Sequence, residues 1–137
     1  MHLDPTAFVA DPILIQGMQQ QATPISCSEE SVLFRQGEVP IGLYILKSGE
    51  VTLTMSSSSG KEIISTKAAA GSVLGLPGLI GNEPYTLTAT ARAGSELGFV
   101  AREGFTALMR TDPLLALKVL QVLAAEVRSA RTAILQR

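Results

Sequence analysis

From Ile25 to Val100 apolar and polar side chains repeatedly change places one residue at a time. Val51, Leu53 and Met55 are interleaved with Thr52 and Thr54, and Tyr85, Leu87, Ala89 and Ala91 with Thr86, Thr88 and Thr90. A period of two, rich in β-branched residues, gives a strand one apolar and one polar face, which is the signature of half-buried β-structure. Further strands are predicted at Val32–Gln36, Gly42–Lys47, Glu62–Lys67 and Glu96–Val100. Glycine-bearing turns separate them at Gln36-Gly37-Glu38, Ser48-Gly49-Glu50, Ser59-Gly60, Ala70-Gly71-Ser72 and Ala93-Gly94-Ser95. Turns spaced roughly 8–14 residues apart suit a barrel or sandwich of short antiparallel strands. The serine-rich Ser56–Gly60 reads as a solvated hairpin tip.

Both ends of the chain carry a different rhythm. Asp4-Pro5 and Asp11-Pro12 each look like a helix N-cap followed by proline at the first helical position. They predict short helical turns over Thr6–Ala10 and Ile13–Met18, packed on the barrel. Ala101–Arg110 is expected as another short helix. Asp112-Pro113 repeats the cap, and no glycine or proline follows through Arg137, so a long helix is predicted at 113–135. On it Ala116, Leu120, Leu123, Val127, Ala130 and Ile134 recur at spacings of four and three, an a/d seam. Leu114, Leu117, Val119 and Val122 widen the apolar stripe in the first half only. The first half is expected on its own barrel and the second half on another helix, which implies a parallel coiled-coil homodimer. Burial of the whole stripe on the chain's own barrel is the alternative. One domain over 1–137 accommodates all of this: a helical lead (1–22), a β-barrel (23–101) and two C-terminal helices (102–137).

Eleven basic and twelve acidic side chains leave a formal charge of −1. That balance does not point to nucleic acid or a membrane surface. Cys27 is the one cysteine, so no internal disulfide can form and a reducing cytoplasm is suitable. The N-terminus has no basic stretch leading into an apolar core, and no apolar run approaches the ~18 residues of a bilayer span. A cytoplasmic, soluble chain is expected. Catalytic chemistry is poorly supplied. His2 is the one histidine and sits at the chain end, Cys27 has no histidine partner, and the carboxylates are scattered through turns. Zinc and iron–sulfur sites fail on ligand count, and a cupin-like enzyme would need clustered histidines. No catalytic residue, metal or resident cofactor is assigned.

The stretch richest in possible chemistry is Gly71-Ser72-Val73-Leu74-Gly75-Leu76-Pro77-Gly78-Leu79-Ile80-Gly81-Asn82-Glu83-Pro84-Tyr85-Thr86-Leu87-Thr88-Ala89. A strand ending at Gly75 runs into a short apolar turn, Leu76–Ile80, then a glycine-rich loop and another strand. Outward-facing backbone N–H groups and a helix N-terminus there form a candidate anion cradle, able to take a phosphate, sulfate or small acid. A tight crossover that merely needs small residues accounts for the same pattern.

Val32-Leu33-Phe34-Arg35-Gln36-Gly37-Glu38, Leu43-Tyr44-Ile45-Leu46-Lys47-Ser48-Gly49-Glu50-Val51, Gly71-Ser72-Val73-Leu74-Gly75 and Thr86-Leu87-Thr88-Ala89-Thr90-Ala91 follow one another in an order that resembles the cyclic-nucleotide-binding domain of Crp/Fnr-type bacterial regulators. The resemblance extends over roughly residues 10–137. It implies a mainly β fold, an eight-stranded double-stranded β-helix or jelly-roll barrel with short N-terminal helices and a long C-terminal dimerisation helix. It also implies a phosphate-binding cassette at Gly71–Ala89 and candidate ligand-binding positions Gly75, Leu76, Pro77, Tyr85 and Thr86. Leu120, Leu123, Val127, Ala130 and Ile134 become the expected dimer interface.

The cassette departs from the family pattern where the ligand is gripped. The glutamate that binds the ribose 2′-hydroxyl is matched by Leu76, and the arginine that neutralises the cyclic phosphate by Tyr85, after Glu83 and Pro84; Thr86 keeps the neighbouring hydroxyl. The C-helix hydroxyl pair near the purine falls at Ala130 and Arg131, with Thr132 one step off. An unpaired ribose hydroxyl costs about 1–3 kcal/mol, and an arginine–phosphate pair is roughly twice as strong as a neutral hydrogen bond. Ordinary high-affinity cyclic AMP binding is therefore not expected, although an unidentified anionic or nucleotide-like ligand is. Lys118, Arg128, Arg131 and Arg137, set against Glu126, read as the solvated face of a coiled coil and not as a DNA patch. With no helix-turn-helix module in view, direct nucleic-acid binding is not expected. The reading is a non-catalytic regulatory or sensor domain working through a homodimer or a regulatory protein partner. The sensor half of a longer Crp/Fnr-type transcriptional regulator is the alternative.

Overall fold

A computed structural model describes residues 3–135, without the side chains of Ala133 and Ile134; His2 and Arg137 lie outside the described residues. Eight strands form the body: β1 (Thr23–Ser26), β2 (Ser31–Phe34), β3 (Gly42–Ser48), β4 (Val51–Ser56), β5 (Glu62–Ala68), β6 (Val73–Leu74), β7 (Thr88–Ala91) and β8 (Glu96–Ala101). They make two antiparallel sheets, ordered β1-β8-β3-β6 and β2-β7-β4-β5, in a jelly-roll arrangement. A 3₁₀ turn (Pro5–Phe8), α1 (Pro12–Gln19), α2 (Leu76–Gly81), α3 (Arg102–Thr111) and α4 (Pro113–Leu135) complete the fold.

The alternating strands bury what their pattern promises. Val51, Leu53, Ala89 and Ala91 point into the space between the sheets, with Phe34, Leu46, Leu74, Tyr85 and Leu97. A second apolar cluster lies beneath the helices, where Leu14 and Met18 of α1, Phe105 of α3 and Leu115, Val119 and Val122 of α4 meet Leu43, Ile45, Val73 and Val100. β3 is thus covered on both faces, which is why Leu43-Tyr44-Ile45-Leu46 runs apolar without alternation. Pro24 is tolerated in β1 because that strand is a sheet edge with β8 as its one neighbour.

Two strand boundaries move from their predicted places. β2 stops at Phe34, not Gln36, because the Arg35 N–H donates to Glu38 Oε1 (2.6 Å) and the Gln36 N–H to Thr88 Oγ1 (2.9 Å). β7 begins at Thr88, not Tyr85. The Tyr85 N–H donates to the Glu38 carbonyl (2.9 Å) and its own carbonyl accepts from the Gly37 N–H (2.8 Å), a clip to the 36–38 turn that stands in for ladder pairing.

The capped prolines act as their pattern suggests. An Asp4 carboxylate oxygen accepts the Thr6 N–H at 2.9 Å, and an Asp11 oxygen the Ile13 N–H at 2.8 Å. The other Asp11 oxygen takes the Lys118 ammonium at 2.8 Å, tying α1 to α4. That lysine, with the Ile13 N–H, holds the Asp11 carboxyl below the usual range. On α4 the face toward the body is Leu115, Val119 and Val122, with Leu123 half-buried. Leu114 and Leu117, expected to broaden that face, are exposed instead. Leu114 lies about 100° and Leu117 about 160° of helix rotation from Leu115, too far round to share its contact.

Candidate functional site

β6 ends in a sharp corner. Gly75 has φ +90°, and a Cβ there would stand 2.9 Å from Cε1 of Tyr85, so both backbone and space require glycine. Six residues of helix follow and close on Asn82 at φ +53°. Tyr85 then turns inward. Its ring stacks on Phe34 with centroids 4.0 Å apart, and its hydroxyl donates to the Gly42 carbonyl at 2.7 Å. Burial pushes that hydroxyl above its ordinary pKa. Arg102, at the start of α3, braces the same corner from behind. Its guanidinium donates to the carbonyls of Pro40 (2.7 Å) and Leu79 (3.2 Å).

Between this corner and α4 lies a cavity of about 250 Å³. Gly75, Pro77, Gly78, Tyr85 and Thr86 form one side, Leu53, Met55 and Ile64 the floor, and Leu123, Glu126, Val127, Ser129 and Ala130 of α4 the opposite wall. Leu3 and Phe8 close it from the N-terminal lead. Ser129 Oγ accepts the Asp4 N–H at 2.7 Å, fastening the lead to α4. Glu126 is the one charged residue on the described wall, and no lysine or arginine is there. Its Oε1 is out of solvent and has no hydrogen-bond partner. Burial pushes its carboxyl up to about 8.

A family model described as the cyclic nucleotide-binding domain matches residues 24–112. This chain belongs to the cyclic nucleotide-binding domain family. Over 98 residues it is 31% identical to the cyclic AMP receptor protein of Thermus thermophilus, which covers 72% of this chain and 45% of that protein. The solved catabolite activator protein of Thermus thermophilus superposes with a TM-score of 0.79 at 24% identity, over 96% of this chain and 62% of that one. The sensor domain of the transcriptional regulator DNR from Pseudomonas aeruginosa gives a TM-score of 0.68 at 22% identity, over 89% and 82% of the two chains. The chain therefore spans less than half the length of the curated relative it matches.

Within this cyclic nucleotide-binding domain, the residues singled out from sequence fall in three groups. Gly75, Pro77, Tyr85 and Thr86 share the cavity wall with Leu123, Val127 and Ala130. Leu76 is turned away from the cavity and fully buried in the core beneath the helices, beside Leu43, Ile45 and Leu79. Leu120 faces outward, 60% exposed, and the side chain of Ile134 lies outside the described residues. Pro77 brings no N–H to the first turn of α2, so one donor of the candidate anion cradle is chemically missing.

Two polar wall residues, both on α4, escape the sequence reading. Glu126 is not part of a solvated charged face, as expected; it lines the cavity. The signal was present in the spacing, since 123, 126, 127 and 130 share one face of a helix. Ser129, one residue before the expected hydroxyl position at Ala130 and Arg131, lines the cavity and accepts the Asp4 N–H. Cys27 is buried in the core. Among the described residues no group of three His, Cys, Asp or Glu could hold a metal ion, and no helix is long and apolar enough to cross a membrane.

Proposed function

We propose that this domain is a regulatory sensor whose cavity takes a small ligand other than cyclic AMP bound in the family's usual way. The observation that carries the reading is the charge of the wall. A cyclic phosphate diester would meet no cation there and one carboxyl. Tyr85, at the position matched to the phosphate-binding arginine, spends its hydroxyl on Gly42 and its ring on Phe34. Leu76, matched to the ribose-binding glutamate, belongs to the core and offers no acceptor. Ligand contact falls to Gly75, Pro77, Tyr85 and Thr86 on one side and to α4 on the other.

Such a domain binds and relays, with no catalytic step. Its output runs through α4, whose Leu120 and Val127 are 60% and 56% exposed. Leu120, Leu123, Val127, Ala130 and Ile134 form the seam of a homodimer, and a regulatory protein partner would read the state of that helix. The free thiol of Cys27 is in keeping with work in the cytoplasm. A second reading, the sensor half of a Crp/Fnr-type transcriptional regulator, is favoured by coverage of 45% of the Thermus thermophilus cyclic AMP receptor protein; nucleic acid would then be met by another part of the protein.

Titration of cyclic AMP by calorimetry tests the central claim. The lost contacts predict no binding tighter than about 0.1 mM. A micromolar dissociation constant would overturn it.

A further inference from the structure

The chemistry of the cavity wall says more about the ligand, and this step rests on the reading that the cavity is the ligand site. At about 250 Å³ the space lies just under the roughly 300–1,000 Å³ of most small-molecule pockets, so its occupant is compact. Leu53, Met55, Ile64 and Phe34 make most of the wall apolar. Against that surface stands a single carboxyl, that of Glu126; its Oε1 is packed where no water-sized group reaches it and has no partner, so an occupant meets that oxygen only once the side chain turns toward the cavity. A buried acceptor of this kind is costly unless something pairs with it. Nothing on the described wall does so.

The complement of a lone carboxyl in an apolar chamber is a cation that brings its own N–H donors. We propose that the cavity takes a compact apolar primary amine, its ammonium head held by Glu126 on α4 and its hydrocarbon body lying against β4 and β5. Hydrocarbon burial supplies the affinity and the charge pair supplies the selection. An anion would find no cation on the described wall to neutralise it, and an alcohol would leave out the ionic component of the pair.

Binding of such an amine moves a proton. With its carboxyl pushed up to about 8, Glu126 is protonated in the empty cavity at neutral pH. A carboxylic acid plus an ammonium ion becomes a carboxylate–ammonium pair plus one proton given to the buffer. Affinity therefore rises as pH climbs from about 6 towards 8. Few other groups complicate that titration. Tyr85 is the other titratable residue on the described wall and its hydroxyl is committed to Gly42. Asp4, in the 3₁₀ turn packed on α4, keeps its carboxylate on Thr6. Arg128 and Arg131 of α4 are exposed.

Calorimetry on the full chain with benzylamine, phenethylamine and cyclohexylmethylamine, each beside its alcohol isostere, and with phenylacetic acid, decides the matter. At least one amine should bind about ten-fold or more tighter than its alcohol near pH 8. In Glu126→Gln the preference for the amine over its alcohol should vanish. Parity of amine and alcohol, tighter binding of the acid, or no amine binding up to about 10 mM overturns the proposal. If Glu126→Gln does not fold, proton release from the wild type, read in buffers of different ionisation enthalpy, decides alone. About one proton released near pH 6.5 supports the ion pair, and none refutes it. Cyclic AMP runs as a separate arm. Micromolar binding there would remove the functional reading, whereas amine–alcohol parity with weak cyclic AMP would remove only the amine.

Discussion

Glu126 and Tyr85 stand on opposite sides of one cavity and have settled their polar atoms in opposite ways. Tyr85 gives its hydroxyl a carbonyl at 2.7 Å and its ring a stacking partner, so it is a finished part of the wall. Glu126 has an oxygen with no partner at all. Its carboxyl is raised from the ordinary 4.5 to about 8, so the folded chain holds that proton more tightly than the unfolded chain. The associated stability is fully present below about pH 4.5 and is lost as pH rises to about 8. Replacing the carboxyl by an amide removes this dependence. Relative to Glu126→Gln, the wild type should lose about 2 kcal/mol between pH 6 and pH 8. Urea unfolding of both proteins across that range measures it, and a constant difference would show that Glu126 ionises normally.

Two helices bound the cavity, and each is secured by a residue outside it. The short α2 has no side-chain cap at Gly75, so its position depends on neighbours. Leu76 and Leu79 are buried in the core, and Arg102 adds a polar tie, donating to Leu79 in α2 and to Pro40 in the loop before β3. Truncation of Arg102 to alanine leaves two partly buried carbonyls without that donor. The expected loss is about 1–3 kcal/mol in denaturant unfolding, with faster hydrogen exchange concentrated in Leu76–Gly81. Uniform exchange across the whole domain would mean that the brace is not local. The long α4 is fixed along its first half by Leu115, Val119 and Val122 and by the Lys118–Asp11 pair. Farther on, Ser129 holds the Asp4 N–H. Since α4 forms both the cavity wall and the expected output surface, a ligand on Glu126 touches the element that a partner would read.

At the scale of the whole molecule, the outer face of α4 is apolar and uncovered. Leu117, Leu120 and Val127 are each more than half exposed on a single helix, and apolar surface of this kind usually finds a partner. Sedimentation of the wild type at about tens of micromolar should give a dimer, and Leu120→Glu should shift it to monomer with the fold retained. A monomeric wild type would leave α4 without the proposed interface.

Much of this architecture was legible in the residues alone, for a physical reason. Strand alternation, capped prolines and glycine turns are local consequences of backbone geometry, so the main strands, both short leading turns and α4 at 113–135 follow from neighbours in sequence. The family resemblance added the jelly roll and the place of the cassette. Folding was needed to aim the side chains. A single residue step, about 100° of helix rotation, sends Leu76 into the core and leaves Pro77 on the cavity. A tyrosine at the head of an alternating run leaves the sheet to clip a turn, and Glu126 shares a face with Leu123 and Val127 that only the packing of α4 assigns to the cavity. Which of several apolar faces is covered, and what an isolated charge is left beside, depends on residues far apart in the chain.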